Sequence, residues 1–281
     1  MASYSAKDVA ALRAQTGAGM MDCKNALTEC GGDIEAAKDW LRTKGLAGAG
    51  RRAGRAANNG AVDVVVDGTV GAVVELNCET DFVAKSAEFK QTVADLAKLV
   101  AKEGESGLPD KSFGGSTVGE AIAQLGAKLG ENVELGRVVR FETTDGLLDG
   151  YKHVQSDRGV IGVLVEVAGV DTGDAKAREV AHDIALHIAS AAPRYATRDE
   201  VPPDAIEKER AVLEELTRNE GRPEDKIPQI VEGRLKGFYQ DYVLTEQAYV
   251  RDPKTTIGKL LGSLGGGATI RRFARVKIGE E

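Results

Sequence analysis

Apolar residues recur at helical spacing in three sets near the start of the chain. Ser5 and Asp8 form an S-x-x-D capping pattern before the first set, and Asp33 is placed to cap the third. Three short helices this close together predict a small bundle over residues 1–47, and such a module usually acts by docking. The sets are Val9 and Leu12, then Met20, Cys23, Ala26, Leu27 and Cys30, then Ile34, Ala37, Trp40 and Leu41.

The helical period stops at residues 48–60. This stretch is rich in Gly, Ala and Arg, which is typical of a linker. Its Gly48-x-Gly50 pair is weak evidence for a dinucleotide site, because no strand precedes it and arginines fill the turn that a pyrophosphate needs.

A period of two follows the linker. Two β-branched runs meet at Asp67-Gly68, the strongest short signal of a hairpin turn. Alternate residues of the second run face opposite ways, which predicts a half-buried strand. Ser86 is placed to cap a helix that ends near Lys102. One strand face carries Ala72, Val74, Leu76 and Cys78, the other carries Val73, Glu75, Asn77 and Glu79, and the helix stripe is Phe89, Val93, Leu96 and Val100.

The hairpin-helix pattern occurs a second time. "GAVVEL" at 71–76 matches "GVLVEV" at 162–167, and "DLAKLVA" at 95–101 matches "DIALHIA" at 183–189. We infer two related α+β halves from this internal repeat. The second hairpin is predicted to turn at Asp157-Arg158-Gly159.

A charged insertion interrupts the second half. The first half is assigned to residues 61–145 and includes a strand at Val133–Phe141, and the second is assigned to 146–200 and 243–281. Residues 201–242 predict two helices joined at Gly221-Arg222-Pro223, with narrow apolar seams typical of a protruding antiparallel hairpin. The seams are Ile206, Leu213 and Leu216 on the first helix, and Ile227, Ile230, Leu235, Phe238 and Tyr242 on the second.

An acid and an aromatic residue stand side by side where the first hairpin leads into its helix. A Phe directly after a strand most often belongs to the core, and Asp81 suits a helix entry because acids are favoured there. Ser86 offers a better cap, and the second half makes its corner, "AGVDTGDAKAREV", without such a pair. The architecture itself therefore does not require Asp81 and Phe82.

Two features of the N-terminal module allow more than one interpretation. Met20-Met21 fits a soft docking face and core packing about equally well. Lys24 lies on the polar side of its helix and, taken alone, is a solvent lysine.

Composition narrows the class of protein. A chain of 281 residues predicts two or three domains. A net charge of −7 disfavours nucleic-acid binding, and no apolar run approaches the roughly 20 residues that cross a bilayer. The start lacks the apolar core of a signal peptide, and three cysteines without C-x-x-C spacing argue against disulfides or zinc. We expect a cytoplasmic protein that binds neither nucleic acid nor a membrane.

Signatures of catalysis are missing. His182 and His187 are five residues apart, so they do not share a helix face as the ligands of an H-E-x-x-H site do. The sequence contains neither a G-x-S-x-G elbow nor a phosphate loop. We expect no enzyme active site, no cofactor and no metal.

Several long motifs resemble those of the bacterial translation elongation factor Ts family, from about Ser5 to Ile278. The motifs are "LRAQTGAGMMDCKNAL", "ELNCETDFVAKSAEF", "GENV", "GVLVEV", "VEGRLKGFY" and "LTEQAYVRDPKTTIGKLL". The resemblance implies an α+β fold with an N-terminal three-helix ubiquitin-associated-like module, two pseudo-symmetric α+β core subdomains and an inserted helical coiled-coil hairpin. It also implies guanine-nucleotide exchange on elongation factor Tu, the GTPase that is left bound to GDP after it delivers aminoacyl-tRNA.

The resemblance also implies which residues meet that partner. Asp81 and Phe82 would enter the GTPase domain near its magnesium site, and Lys24 and Arg52 would contact it from the N-terminal module and the linker. The further interface positions are Leu129, Gly130, His153 and Val250.

The sequence departs from the family pattern in two places. Gln247-Ala248-Tyr249-Val250 stands where the family has Q-P-F-V, and Arg251 replaces an apolar residue, so we expect the contacts there to differ in detail. Longer members continue past the final strand into a helical module that packs on the partner. This sequence ends at "KIGEE", so we expect that contact to be absent or replaced.

Two other functions remain open. One is a scaffold or chaperone-like binder of the same GTPase, or of the ribosome, without exchange activity. An enzyme is the other, disfavoured by the missing signatures. The charged hairpin is equally open as the seam of a dimer of heterodimers, a second docking surface or a solvated arm.

Overall fold

Three helices form the N-terminal part of the chain. The computed structural model describes residues 4–16, 18–52, 54–265 and 267–280. Its first helices are α1 (Ala6–Thr16), α2 (Met20–Glu29) and α3 (Ile34–Arg52). Their shared core is as small as the sequence predicts and consists of Leu12, Cys23, Ala26, Leu27 and Ala37.

Two details of this part differ from the prediction. Met20, placed on the core face by its spacing, is 60% exposed, and Met21 beside it is 62% exposed. The buried face of α2 consists of Cys23, Ala26 and Leu27. Helix α3 continues to Arg52 and so occupies the beginning of the predicted linker, since Ala and Arg favour helix. The described linker residues that belong to neither a helix nor a strand are 54–58.

A three-stranded antiparallel sheet follows, with the order β1-β2-β5. The predicted hairpin is confirmed, but its turn is Gly68-Thr69, one residue later than expected. Gly68 has a φ of +57°, which costs glycine little. The elements of this half are β1 (Asn59–Asp67), β2 (Val70–Cys78), α4 (Asp81–Lys85), α5 (Ala87–Glu103), β3 (Ser112–Phe113), β4 (Ser116–Thr117), α6 (Val118–Leu129) and β5 (Val133–Glu142).

A second three-stranded antiparallel sheet has the order β10-β7-β6. Its central strand is β7. Like β2, it is the second strand of a hairpin and precedes a helix, which matches the internal repeat. The remaining elements are β6 (Leu147–Gln155), β7 (Arg158–Ala168), α7 (Ala175–Ala191), α8 (Pro203–Asn219), α9 (Ile227–Tyr242), β8 (Ala248–Tyr249), β9 (Asp252–Thr256), α10 (Ile257–Gly262) and β10 (Thr269–Lys277).

The turn of the second hairpin was predicted wrongly. The turn residues are Ser156 and Asp157, with φ of +51° and +65°, whereas Arg158 and Gly159 already belong to β7. Gly159 serves the packing of the sheets instead, because a Cβ there would lie 2.1 Å from the backbone oxygen of Val62 in β1.

The two sheets pack face to face, with α5 outside the first and α7 outside the second. Strand β2 was predicted to be half-buried, but Val73 and Glu75 on its second face are buried as well. The second sheet covers that face, which a pattern read along one strand does not reveal. The residues between the sheets are Val62, Val73, Phe141, Leu148, Leu164 and Val276.

Helices α8 and α9 contact each other and form the predicted hairpin around Gly221. The seam differs in part, because Val231 is buried in it and Leu213 and Tyr239 pack against it, whereas Leu216 is exposed. Pro223 begins a single 3₁₀ turn before α9 rather than α9 itself.

The fold is α+β with antiparallel sheets. None of the helices in the described part of the chain is both long and apolar enough to cross a membrane.

Candidate partner-binding surface

The corner between β2 and α5 holds a large apolar side chain out into solvent. Phe82 is 83% exposed, although it lies next to a buried strand. Ala84 and Phe89, both fully buried, occupy the inward positions of this segment. Phe82 is therefore not the core residue that its position after a strand favours.

Two hydroxyl caps define the path of the chain through the corner. Thr80 Oγ1 accepts a hydrogen bond from Val83 N at 3.3 Å and begins α4. Ser86 ends α4 and begins α5, where its Oγ accepts from Phe89 N at 3.3 Å. The predicted cap at Ser86 is confirmed, but a five-residue helix precedes it, and this helix carries Asp81 and Phe82 in its first turn.

Asp81 is held by a basic neighbour one helical turn away. Lys85 Nζ donates to its carboxylate at 2.5 Å, and this hydrogen bond is the main reason that the pKa of Asp81 is lowered. The charge of Arg158 lowers the same pKa further. Asp81 thus presents a negative charge beside Phe82 at neutral pH.

A carboxylate from a distant segment clasps the corner. Glu131 Oε2 accepts hydrogen bonds from the backbone nitrogens of Glu79 and Thr80, both at 3.0 Å. Thr80 Oγ1 donates to Glu131 Oε1 at 2.5 Å. Glu131 follows α6, so these bonds tie the corner to the segment between α6 and β5.

The clasp is reciprocal, because Glu79 binds the same segment in return. Asn132 N donates to Glu79 Oε1 at 2.6 Å, and Asn132 Nδ2 donates to the backbone oxygen of Arg55 at 3.0 Å. Arg55 Nη1 lies 3.3 Å from Glu79 Oε1. The corner, the end of the linker and the α6–β5 connection are thereby joined.

Cys78, the last residue of β2, lies under this corner. Its thiol donates to the backbone oxygen of Thr80 at 3.2 Å. Burial and the charge of Glu131 raise the pKa of Cys78 to about 12, so it stays protonated and acts as a structural donor.

The structure brings two further predicted positions next to the corner. Leu129 ends α6 and is half-buried against the core of the first sheet, and Gly130 caps that helix with a φ of +76°. Gly130 is exposed. It directly precedes Glu131, the residue that clasps the corner.

Lys24 and Arg52 lie on two different grooves of the N-terminal module. Lys24 is exposed in a groove that Met20 and Met21 also line. Arg52 is half-buried in a groove between this module and α6, where Lys128 is another lining residue. The pair of Arg42 Nη2 and Glu120 Oε2, 2.7 Å apart, joins α3 to α6 beside that groove.

His153 and Val250 lie outside the first sheet. His153 is exposed on β6, with its Nδ1 3.2 Å from Tyr151 Oη, and Val250 is exposed at the turn between β8 and β9. The residues that depart from the family pattern have structural roles beside Val250. Tyr249 is buried against the ring of His187, and Arg251 Nη1 pairs with Asp183 at 2.7 Å.

The motif "GENV" was visible in the sequence, but the roles of Glu131 and Asn132 within it were not predicted. Two polar residues between a glycine helix end and the start of a strand were the available signal, because such residues need partners when they are buried. Among the described residues, no group of three or more His, Cys, Asp or Glu side chains is arranged to hold a metal ion.

Comparison with known proteins places the chain in a family. The family model for elongation factor TS matches residues 79–280. Elongation factor Ts of Mycobacterium tuberculosis is 47% identical over 286 residues, covering all of both chains. The proteins of that name from Kineococcus radiotolerans and Micrococcus luteus are 45% and 43% identical, each covering 99% of this chain and 100% of the relative. With a match over most of its length and relatives this similar, the chain belongs to the elongation factor Ts family of translation elongation factors.

Proposed function

We propose that the protein is a guanine-nucleotide exchange factor that binds elongation factor Tu in its GDP form and promotes GDP release. The observation that carries this proposal is the position of Phe82, a large apolar side chain that is 83% exposed beside the charged Asp81. A large aromatic on a clasped corner suits insertion into a partner, because aromatic anchors supply much of the energy of protein interfaces.

The exchange itself needs no bond chemistry from this chain. GDP is held in a GTPase by backbone N–H groups and by Mg²⁺ that bridges phosphate oxygens. A protein that stabilises the nucleotide-free form must weaken nucleotide binding by the same free energy. Phe82 would act as a wedge, and the negative charge of Asp81 would disturb the magnesium and phosphate-loop region.

The energy required sets a limit on Phe82. Speeding release about 10⁴-fold takes roughly 5.5 kcal/mol of differential interaction. Burying one Phe side chain contributes about 1.5–3 kcal/mol. Other contacts must share the task, and we assign them to Lys24, Arg52, Leu129, Gly130, His153 and Val250.

Release of a fluorescent GDP analogue from elongation factor Tu tests the proposal. We expect the wild-type chain to accelerate release. We also expect bound GDP to weaken the affinity of elongation factor Tu for the chain by the same factor by which the chain weakens its affinity for GDP. A scaffold or chaperone-like binder of the same GTPase predicts binding that GDP does not affect, and that result would refute exchange.

The remaining parts of the proposal concern assembly and location. We propose that the protein acts in the cytoplasm and meets its partner without contacting nucleic acid. The α8–α9 hairpin would serve as the seam of a dimer of heterodimers, as a second docking surface or as a solvated arm. Sedimentation of the protein alone and with elongation factor Tu distinguishes the first role from the other two.

A further inference from the structure

Phe82 has little contact of its own to fix its direction. It is exposed, and α4, which carries it, has only five residues. A helix this short is not stable in isolation, because the first turn costs more conformational entropy than its hydrogen bonds return. The orientation of Phe82 must therefore be set by the residues that fix the two ends of α4.

The end of α4 nearer to Phe82 is fixed through Glu131. The single hydroxyl proton of Thr80 goes to Glu131 Oε1, so the lone pairs of Oγ1 remain for Val83 N. The other carboxylate oxygen takes the backbone N–H groups of Glu79 and Thr80. Three donors thus bind one carboxylate. They fix the backbone conformation at Glu79 and Thr80, directly before α4 begins at Asp81.

Glu131 is itself firmly placed. Gly126 O accepts from both Gly130 N at 2.9 Å and Glu131 N at 3.1 Å at the end of α6. A Cβ at Gly126 would lie 2.8 Å from the backbone oxygen of Glu131, so the segment passes close against the helix. Asn132, directly after Glu131, is buried and bonded to Glu79 and Arg55.

The matching corner of the second half is built differently. There Asp174 caps α7 locally, with its Oδ1 accepting from Lys176 N at 3.0 Å. The corner that presents Phe82 has local caps at Thr80 and Ser86, and it is also clasped by a carboxylate 51 residues away from Thr80. The long-range clasp accompanies the exposed aromatic and is not a general requirement of a strand-to-helix corner.

We infer that Glu131 is a positioning residue that holds Phe82 in the direction needed to enter the partner. This inference rests on the proposed exchange function. Without the clasp, the competent direction of Phe82 is populated only part of the time, and apparent affinity falls by that fraction. The maximal release rate, which depends on the inserted Phe82, stays unchanged.

The test measures release of fluorescent GDP from elongation factor Tu as a function of the concentration of the full-length chain. For Glu131→Ala we expect the half-saturating concentration to rise about tenfold, with a maximal rate within about twofold of wild type. Glu131→Gln retains one carbonyl acceptor for the two backbone N–H groups, so it should lie between Glu131→Ala and wild type. Asp174→Ala is the matched control, because it removes a capping carboxylate from the equivalent corner, and it should leave both parameters unchanged.

A double variant separates positioning from general loss of structure. If Glu131 acts through Phe82, Phe82→Ala combined with Glu131→Ala should exchange no worse than Phe82→Ala alone. Thermal unfolding of Glu131→Gln provides the folding control. Additive losses in the double variant, or unchanged exchange in Glu131→Ala, would overturn the inference while the wild-type chain still exchanges. A wild-type chain that leaves GDP release unaltered would overturn the proposed function, and this inference with it.

Discussion

Glu75 and Glu166 occupy the same position of the internal repeat, and each is buried at the centre of its sheet beneath arginine from the third strand. Glu75 is 3% exposed and its Oε2 accepts from Arg137 N and Nε, both at 3.0 Å. Glu166 is fully buried and binds Arg271 Nη1 at 2.7 Å and Arg272 Nε at 2.6 Å. The two halves thus repeat an ion pair as well as a strand pattern.

The pairing of the third strand with the central strand is irregular at this ion pair in both sheets. The pairing of β2 with β5 shifts between Val74 and Leu76, and that of β10 with β7 shifts between Ile270 and Arg272. An extra residue in the ladder turns the arginine toward the central strand, which is a common use of a β-bulge. The buried carboxylate and the irregularity of the third strand therefore lie at the same place in both sheets.

Replacing Glu166 should destabilise the fold. Glu166→Gln keeps the shape but removes the charge that two arginines bind, and we expect the free energy of unfolding to fall by about 1–3 kcal/mol. Denaturation by urea measures this. Glu142→Gln, which removes an exposed partner of Arg140, should cost no more than about 1 kcal/mol. Equal losses in the two variants would contradict a special role of the buried pair.

Truncation of Phe82 should slow nucleotide exchange and spare stability, whereas truncation of Phe89 should reduce stability. Phe82→Ala removes an exposed side chain, so we expect the stability to stay within about 0.5 kcal/mol of wild type while release of fluorescent GDP from elongation factor Tu slows. Phe89→Ala empties a fully buried position and should cost about 3–5 kcal/mol. Thermal unfolding and exchange kinetics on the same samples separate the two effects. A large loss of stability in Phe82→Ala would show that Phe82 is a core residue.

His187 should make stability depend on pH between neutral and mildly acidic conditions. It is buried on α7, with Nε2 2.9 Å from Gln247 Oε1, and burial lowers its pKa below the usual 6.5. The unfolded chain takes up a proton as the pH falls through 6.5, whereas the folded chain resists it until a lower pH. Stability should therefore decline as the pH falls below 6.5, and thermal unfolding from pH 7.5 to 5 measures this.

A matched pair of variants isolates this histidine. His187→Gln should lose the decline in that range even if its overall stability is lower, because it removes the titrating group. His153→Gln, at an exposed position on β6, should keep it. An unchanged pH profile in His187→Gln would assign the decline to other groups.

Local patterns predicted the elements but not the contacts between distant segments. The hairpin before α5, the Ser86 cap and the repeat were all visible in the sequence, because each depends on neighbours along the chain. The burial of Val73 was not visible, since a second sheet covers it. The clasp by Glu131 was missed for the same reason, as its donors lie 51 and 52 residues away.

Glycines also have either local or long-range roles, and two of them give opposite predictions for stability. Gly159 lies where a Cβ would be 2.1 Å from Val62 O, so Gly159→Ala must push the two sheets apart and should destabilise by at least about 1–3 kcal/mol. Gly237 lies within α9, and a Cβ there would meet nothing within 4 Å. Gly237→Ala should therefore stabilise by about 0.5–1 kcal/mol, because alanine favours helix. Urea denaturation of both variants checks the opposite signs, and a stabilised Gly159→Ala would contradict the close approach of β1 and β7.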